Sequence, residues 1–156
     1  MNFSFFLKNE EATKLFARDL ALILKPGDLV TLQGDLGAGK TTIARELIRT
    51  LANDNTLDVL SPTFTLVQSY QLPGFEIIHA DLYRLSMAEE IDELGLHEAR
   101  GESIILIEWP EKGANLLGPA TFSIAVHYEN CGRRIVFTSA EHSAEHLHQS
   151  LAVRTF

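Results

Sequence analysis

Several things are scarce in this chain, and each scarcity closes off a class of protein. Cys131 is the only cysteine in 156 residues. No intramolecular disulfide can form, which points to a reducing compartment and a cytoplasmic location. Cys131 falls in an expected turn without an obvious base beside it and reads as incidental. No apolar run approaches the length of a bilayer span, so no membrane association is expected. The first residues, Met1 to Glu11, lack a basic region, a long apolar core and a cleavage site, and are not expected to be a signal peptide. Positive charge is also short: 13 Lys and Arg stand against 21 Asp and Glu, a formal net charge of −8. A solitary nucleic-acid binder usually carries a basic surface, so a protein partner is the better expectation. Arg45, Arg49, Arg84, Arg133 and Arg134 remain as local basic groups. There is no internal repeat, linker or low-complexity segment. The length fits one domain over 1–156, with the tail from about 141 unassigned, and 46% hydrophobic residues are enough for a sizeable core.

What is present is most concentrated between Gly34 and Thr41, which read Gly-Asp-Leu-Gly-Ala-Gly-Lys-Thr. This is a complete G-x-x-x-x-G-K-[ST] phosphate loop. The pattern lets successive backbone N–H groups point at phosphate oxygens, Lys40 reach the β- and γ-phosphates, and the Thr41 hydroxyl ligate Mg²⁺. The flanks agree. Leu29 to Leu32 is a short strand-like run, and Ile43, Ala44, Leu47, Ile48 and Leu51 have helical spacing over Thr42 to Ala52. A helix starting behind the loop would aim its positive dipole end at an anion.

The rest of the chain reads as alternating elements. Asn9 is a helix cap followed by Glu10 and Glu11, with Ala12, Leu15, Phe16, Leu20 and Ile23 on one face and Pro26-Gly27-Asp28 as the stop. Phe64, Leu66, Gln68 and Tyr70 alternate with Thr65, Val67 and Ser69 as a strand, turned by Leu72-Pro73-Gly74 into a second strand over Phe75 to His79. Met87 to Leu94 predicts a short helix. Ile104 to Ile107 is an unbroken apolar run of the kind a buried central strand shows. Thr121 to Tyr128 and Arg133 to Thr138 predict a hairpin around Glu129 to Gly132, and the tail from Ser143 predicts a helix. A P-loop-like three-layer α/β/α fold with a mixed central sheet follows.

A phosphate loop needs an acidic partner for Mg²⁺ at a strand end. Glu108 follows the apolar run, and Asp81 follows the weaker strand signal of Ile77 to Ala80; either could serve, with a turn cap before Leu82-Tyr83-Arg84 as the lesser reading of Asp81. Ser61-Pro62-Thr63-Phe64-Thr65 is a hydroxyl-rich loop, readable either as a segment that orders around phosphate and metal or as a plain turn. Trp109-Pro110 adjoins Glu108. His142, His146 and His148 read as a solvated helix face rather than a metal site. Nothing matches Asn-Lys-x-Asp, the guanine-reading pattern, so ATP is favoured over GTP.

Four segments occur in order: Gly34 to Thr42, Ser61-Pro62-Thr63-Phe64-Thr65-Leu66-Val67, His79-Ala80-Asp81-Leu82-Tyr83-Arg84-Leu85 and Ile107-Glu108-Trp109-Pro110-Glu111. Together they resemble the TsaE (YjeE) family, small bacterial ATPases of tRNA threonylcarbamoyladenosine biosynthesis. The resemblance covers about residues 9 to 138. It implies ATP and Mg²⁺ as ligands and the TsaD–TsaB pair as partner, with tRNA reached indirectly through that complex at adenosine 37 of tRNAs reading ANN codons. It implies phosphate binding by Leu36, Gly37, Ala38, Gly39, Lys40 and Thr41, with Thr42 beside them. Thr41 and Glu108 would hold Mg²⁺, with Asp81 beside the metal or in the catalytic region and Trp109 near the nucleotide. Glu10 and Thr13 would lie near the adenine and Arg133 near the nucleotide. The tail histidines inherit no role.

The resulting expectation is a Mg²⁺-dependent ATPase, weak alone and dependent on a partner. Lys40 neutralises phosphate charge, and Asp81 or Glu108 positions the attacking water. Two other readings stay open. One is a small-molecule or nucleoside kinase, which would need an arginine-bearing lid, for which Arg100, Arg133 and Arg134 are the available residues. The other is a nucleotide-dependent interaction module without turnover.

Overall fold

Asn9 starts the first helix. Its side-chain oxygen accepts a hydrogen bond from the Ala12 N–H at 2.9 Å, satisfying one of the free amides of the opening turn. In this computed structural model, which describes residues 2–139, the helix α1 spans Glu10–Ala21, with Glu10 and Glu11 at its positive end and Arg18 in its last turn. Its buried face is Ala12, Thr13, Phe16, Ala17, Leu20 and Ala21. The expected face was slightly off. Leu15 is only half-buried, and Ile23 packs from the turn beyond the helix end.

Before α1 lies a strand that the sequence reading did not identify, β1, Asn2–Leu7. The remaining elements are β2 Leu29–Gln33, α2 Lys40–Ala52, β3 Val67–Leu72, β4 Phe75–Asp81, α3 Leu96–Ala99, β5 Ile104–Glu108, β6 Phe122–Glu129 and β7 Gly132–Ser139. Short 3₁₀ helices cover Ala88–Leu94, Pro110–Lys112 and Ala114–Leu117. The predicted helix over Met87 to Leu94 is thus a 3₁₀ helix, and Gly95, at φ 77°, separates it from the unanticipated α3. The predicted strand from Phe64 begins three residues late. Leu66 adopts φ 66° and its N–H bonds to the Pro62 carbonyl at 2.7 Å, so residues 62–66 close into a turn. The expected tail helix and His142, His146 and His148 lie outside the described residues.

The seven strands form one mixed sheet in the order β1-β7-β6-β2-β5-β4-β3. β2 pairs in parallel with both β5 and β6, and β4 pairs in parallel with β5. The β1–β7, β6–β7 and β3–β4 pairs are antiparallel. β5 is central, and Ile104 to Ile107 have no exposed surface. It is buried on both faces, which is why its apolar run has no alternation. On one face Val30, Leu32, Ile77, Ile104 and Leu106 pack with Phe16, Leu20, Ile43, Leu47 and Ile48 from α1 and α2. On the other, Leu29, Ile78, Ala80, Ile105 and Ile107 pack with Leu82, just after β4, and with Ile91 and Leu96 from the 3₁₀ and α3 layer. The three-layer arrangement is therefore as expected. Because strand side chains alternate, His79, Asp81 and Glu108 fall on the α2 face.

Phe137 joins β1, α1 and β6. Its ring lies 6.5 Å from Phe3, 6.4 Å from Phe16 and 5.5 Å from Phe122. Gly132, at the start of β7, sits so close to β1 that a Cβ there would overlap the Leu7 carbonyl and lie 2.8 Å from the Phe6 ring. Gly132→Ala is expected to lower stability by about 2 kcal/mol, the usual scale for overpacking. Urea unfolding of the two proteins checks this, and an unchanged midpoint would contradict the packing described.

Candidate functional site

The parallel strands β2, β5 and β4 all end at the same edge of the sheet, and the conspicuous polar residues gather there. β2 runs into the loop from Gly34 to Gly39, and α2 begins at Lys40. Two glycines make this loop possible. A Cβ at Gly34 would lie 2.6 Å from the Val126 carbonyl on β6, so only glycine fits. Gly39 occupies the helix N-cap at φ 113° and places no side chain over the α2 amides. The first-turn N–H groups of α2 are thereby left to face an external acceptor.

Lys40 is buried, with 5% of its surface exposed. Its ammonium donates to the Gly34 carbonyl, lies 3.5 Å from the Asp35 carbonyl and sits 3.7 Å from the centroid of the Trp109 ring. Burial pulls its pKa down, against the opposing pull of Glu108, Glu111, Asp81 and Asp35. Trp109 is held in the left-handed region at φ 59°. For a large side chain this conformation is strained, by about 1–3 kcal/mol. It turns the chain out of β5 and sets the indole between Lys40 and the Tyr83 ring, 4.9 Å away.

Glu108 and Asp81 are direct neighbours in the β4–β5 register, and Glu108 also pairs with Leu32 of β2. Both carboxylates are buried, yet they are held differently. Glu108 Oε1 accepts from the Thr41 hydroxyl at 3.1 Å, and Oε2 lies 2.7 Å from His79 Nε2. Asp81 Oδ1 accepts from the Tyr83 N–H at 2.9 Å, while Oδ2 has only a long contact of 3.5 Å from the Thr63 hydroxyl. Desolvation pushes the Asp81 pKa up, and the Glu108 charge adds to this against the Tyr83 amide, His79 and Lys40. Thr63 is in turn 2.7 Å from Ser61 Oγ. The Ser61–Thr65 loop is anchored to the same strand end, because the Asp81 N–H bonds to the Leu66 carbonyl at 2.9 Å.

Two cavities flank the loop. One, of about 210 Å³, lies among Lys40, Thr41, Ser61, Thr63, Asp81, Glu108 and Trp109. The other, of about 300 Å³, is lined by Glu10, Thr13, Ala38, Cys131, Gly132 and Arg133 among others. Gly37, Gly39 and Thr42 border both. Leu36 is exposed at the outer side of the first cavity. The structure thus divides the sequence-predicted residues into two adjoining groups. Among the described residues no cluster of three His, Cys, Asp or Glu side chains could hold a metal ion. The Thr41 hydroxyl and the two carboxylates form instead an incomplete set of hard oxygen donors. Such a set suits magnesium that draws its remaining ligands from phosphate and water.

Some contributors were not foreseen. His79 was read as the end of a strand and the start of one of the four family segments, with no role at the site; a polar residue on the same β4 face as Ile77 and Asp81 was the available signal. Tyr128 carried none. Its hydroxyl donates to the Leu36 carbonyl at 3.4 Å, and its ring lies 4.2 Å from the Arg133 guanidinium. Arg133 donates to the Ala38 carbonyl at 2.8 Å, so the β6–β7 hairpin braces the phosphate loop from outside. Cys131, read as incidental, is exposed at the turn bordering the larger cavity. Arg100 donates to the Gly27 and Pro119 carbonyls, and Arg134 pairs with Glu129. Neither residue borders the cavity around Lys40.

The strand–loop–helix unit, the mixed sheet and the acidic residues at adjoining strand ends define a protein of the P-loop-like α/β class. Comparison with known proteins narrows this. The family model described as "Threonylcarbamoyl adenosine biosynthesis protein TsaE" matches residues 7–136. A protein of Rickettsia felis named "tRNA threonylcarbamoyladenosine biosynthesis protein TsaE" is 45% identical over 140 residues, covering 88% of this chain and 81% of that protein. A Bacillus subtilis protein of the same name is 36% identical over 146 residues, covering 92% and 90%. The crystal structure of Bacillus subtilis YdiB superposes with a TM-score of 0.71 at 27% identity, covering 97% of this chain and 95% of that one. The chain belongs to the TsaE family.

The buried Asp81 carboxyl gives the site a measurable signature. Its folded-state pKa lies above the ordinary value, so folding favours the protonated form. That contribution to stability is full at low pH and is lost as pH rises through the raised pKa. Without added ligand, Asp81→Asn is expected to melt above the wild type at pH 7, with the gap closing as pH falls through the carboxylate range. Melting curves across that range check it; an Asn variant that melts lower at pH 7 would contradict the assigned environment.

Proposed function

We propose that the chain is a magnesium-dependent ATPase subunit that acts with the TsaD–TsaB pair in threonylcarbamoyl modification of tRNA adenosine 37. The observation that carries this reading is the convergence of Lys40, Thr41, Asp81 and Glu108 around one cavity at the end of the phosphate loop. Membership of the TsaE family supports the pathway. The absence of a guanine-reading motif supports adenine, and the larger cavity beside Glu10 and Thr13 offers it room.

In this reading the backbone from Leu36 to Thr41, with Thr42 beside it, cradles the phosphates. Lys40 exchanges its contacts with the Gly34 and Asp35 carbonyls for phosphate oxygens. Thr41 and Glu108 would hold Mg²⁺, which would supply positive charge against the phosphate oxygens. The two carboxylates take different roles. Both Glu108 oxygens are already engaged, which suits a fixed ligand. Asp81 Oδ2 is only loosely held, and desolvation raises the basicity of its carboxylate. Asp81 therefore orients the attacking water. The Ser61–Thr65 loop reports the γ-phosphate to Asp81 through the Thr63 hydroxyl. A partner that orders this loop raises turnover. Trp109 and Arg133 hold Lys40 and the loop backbone in place.

The experiment is ATP hydrolysis by the purified chain with and without TsaD–TsaB. Turnover is expected to be low alone and to rise with the pair. Lys40→Ala should abolish it, and Asp81→Asn should lower it by about 10²- to 10⁴-fold while nucleotide still binds. Unchanged turnover in Lys40→Ala would overturn the assignment. Phosphate transferred to a small acceptor instead of released would establish a kinase. Nucleotide-dependent binding to TsaD–TsaB without turnover would establish an interaction module.

A further inference from the structure

His79 is a polar side chain placed where an apolar one would be expected. It alternates with Ile77 on β4, on the sheet face carrying Ile104 and Leu106, and has no exposed surface. Its Nε2 lies 2.7 Å from Glu108 Oε2, and its Nδ1 has no hydrogen-bond partner among the described residues. A buried ring nitrogen without a partner costs stability, so the histidine is poorly explained as a core residue. Its one strong contact is with the carboxylate assigned to magnesium.

We infer that His79 is the positioning residue for that carboxylate: its Nε2–H holds Glu108 Oε2 back so that Oε1 and the Thr41 hydroxyl face the metal together. This rests on the nucleotide and magnesium reading above. A carboxylate on a strand end has freedom about its side-chain bonds, and its neighbour in register, Asp81, repels it. The imidazole removes that freedom. It uses one oxygen as a tether and leaves the other, already 3.1 Å from Thr41 Oγ1, directed at the site. Partners that orient a metal ligand in this way are commonly worth 10- to 100-fold in metal affinity. The tether accepts no part of the substrate and touches no reacting atom. Its effect belongs to the metal requirement rather than to nucleotide contacts.

Three substitutions separate positioning from packing. The amide nitrogen of Gln stands as many bonds from Cβ as His Nε2, whereas that of Asn corresponds to Nδ1 and stops short of Glu108. Leu fills the space without a donor. Binding of the non-hydrolysable analogue AMP-PNP to the full chain is measured by calorimetry, with Mg²⁺ titrated and separately in EDTA. His79→Asn and His79→Leu are expected to raise the half-saturating Mg²⁺ concentration by about 10- to 100-fold, and His79→Gln to restore most of the loss. Affinity in EDTA should be unchanged in all three. If His79→Leu fails to fold, the Asn and Gln pair decides. A wild-type Mg²⁺ requirement in His79→Asn, equal losses with and without Mg²⁺, or a Gln variant no better than Asn would overturn the inference alone. A wild-type chain that binds no AMP-PNP under any condition would overturn the functional reading with it.

Discussion

The arrangement at the strand ends depends on one carboxylate being held from two sides. Glu108 terminates the central strand, takes the hydroxyl of the first turn of α2 on one oxygen and the β4 imidazole on the other. Burying a carboxylate is costly unless such partners replace its water. The requirement therefore works in both directions. The helix start, the central strand and β4 must sit in one relative position for Glu108 to be tolerated, and Glu108 in turn pins them there. The phosphate loop is stretched between one of these fixed points, the start of α2, and the end of β2, which pairs with β5.

Support for the loop also comes from a part of the chain remote in sequence. Tyr128 and Arg133 reach the Leu36 and Ala38 carbonyls from the β6–β7 hairpin. The Val126 carbonyl leaves room only for glycine at position 34. Carbonyls that are bonded outward leave the loop amides turned the other way. The same hairpin turn carries Cys131 and Gly132, which with Glu10 and Thr13 border the larger cavity. One structural unit thus braces the phosphate cradle and walls the neighbouring space.

Much of this was legible in the sequence, for reasons that differ by residue. The Gly34–Thr41 loop was readable because backbone geometry demands those residue types at that spacing. The β5 strand was readable because a strand buried on both faces loses its alternation, and Glu108 was then marked by position. Asp81 was visible too, behind a weaker strand signal, but the way its surroundings differ from those of Glu108 was not. That difference depends on which atoms reach each carboxylate, and His79, Thr41, Thr63 and Tyr83 converge from separate segments. β1 was missed because Phe3 and Phe5 alternate with polar residues over too short a stretch to stand out. Its pairing with β7 is wholly non-local. The strand predicted from Phe64 failed because alternation continues through a turn: Phe64 is 81% exposed, with the Arg84 guanidinium over its ring.

The sheet order has a consequence for how the protein is made. Among the described residues β1 is an edge strand whose only sheet partner is β7, with Asn2 opposite Thr138 and Leu7 opposite Arg133. The larger cavity lies at the Leu7–Arg133 end of this pairing and needs Leu7, Asn9, Glu10 and Thr13 from one side of it and Cys131 to Arg133 from the other. A chain still emerging from the ribosome can place the phosphate loop, α2 and the parallel strands before β7 exists. It cannot close the second chamber until synthesis has passed the final hairpin. Contacts this distant in sequence form late, because the loop-closure entropy must be met before they reward it. The second chamber, and with it the Arg133 brace on the phosphate cradle, is thus completed last.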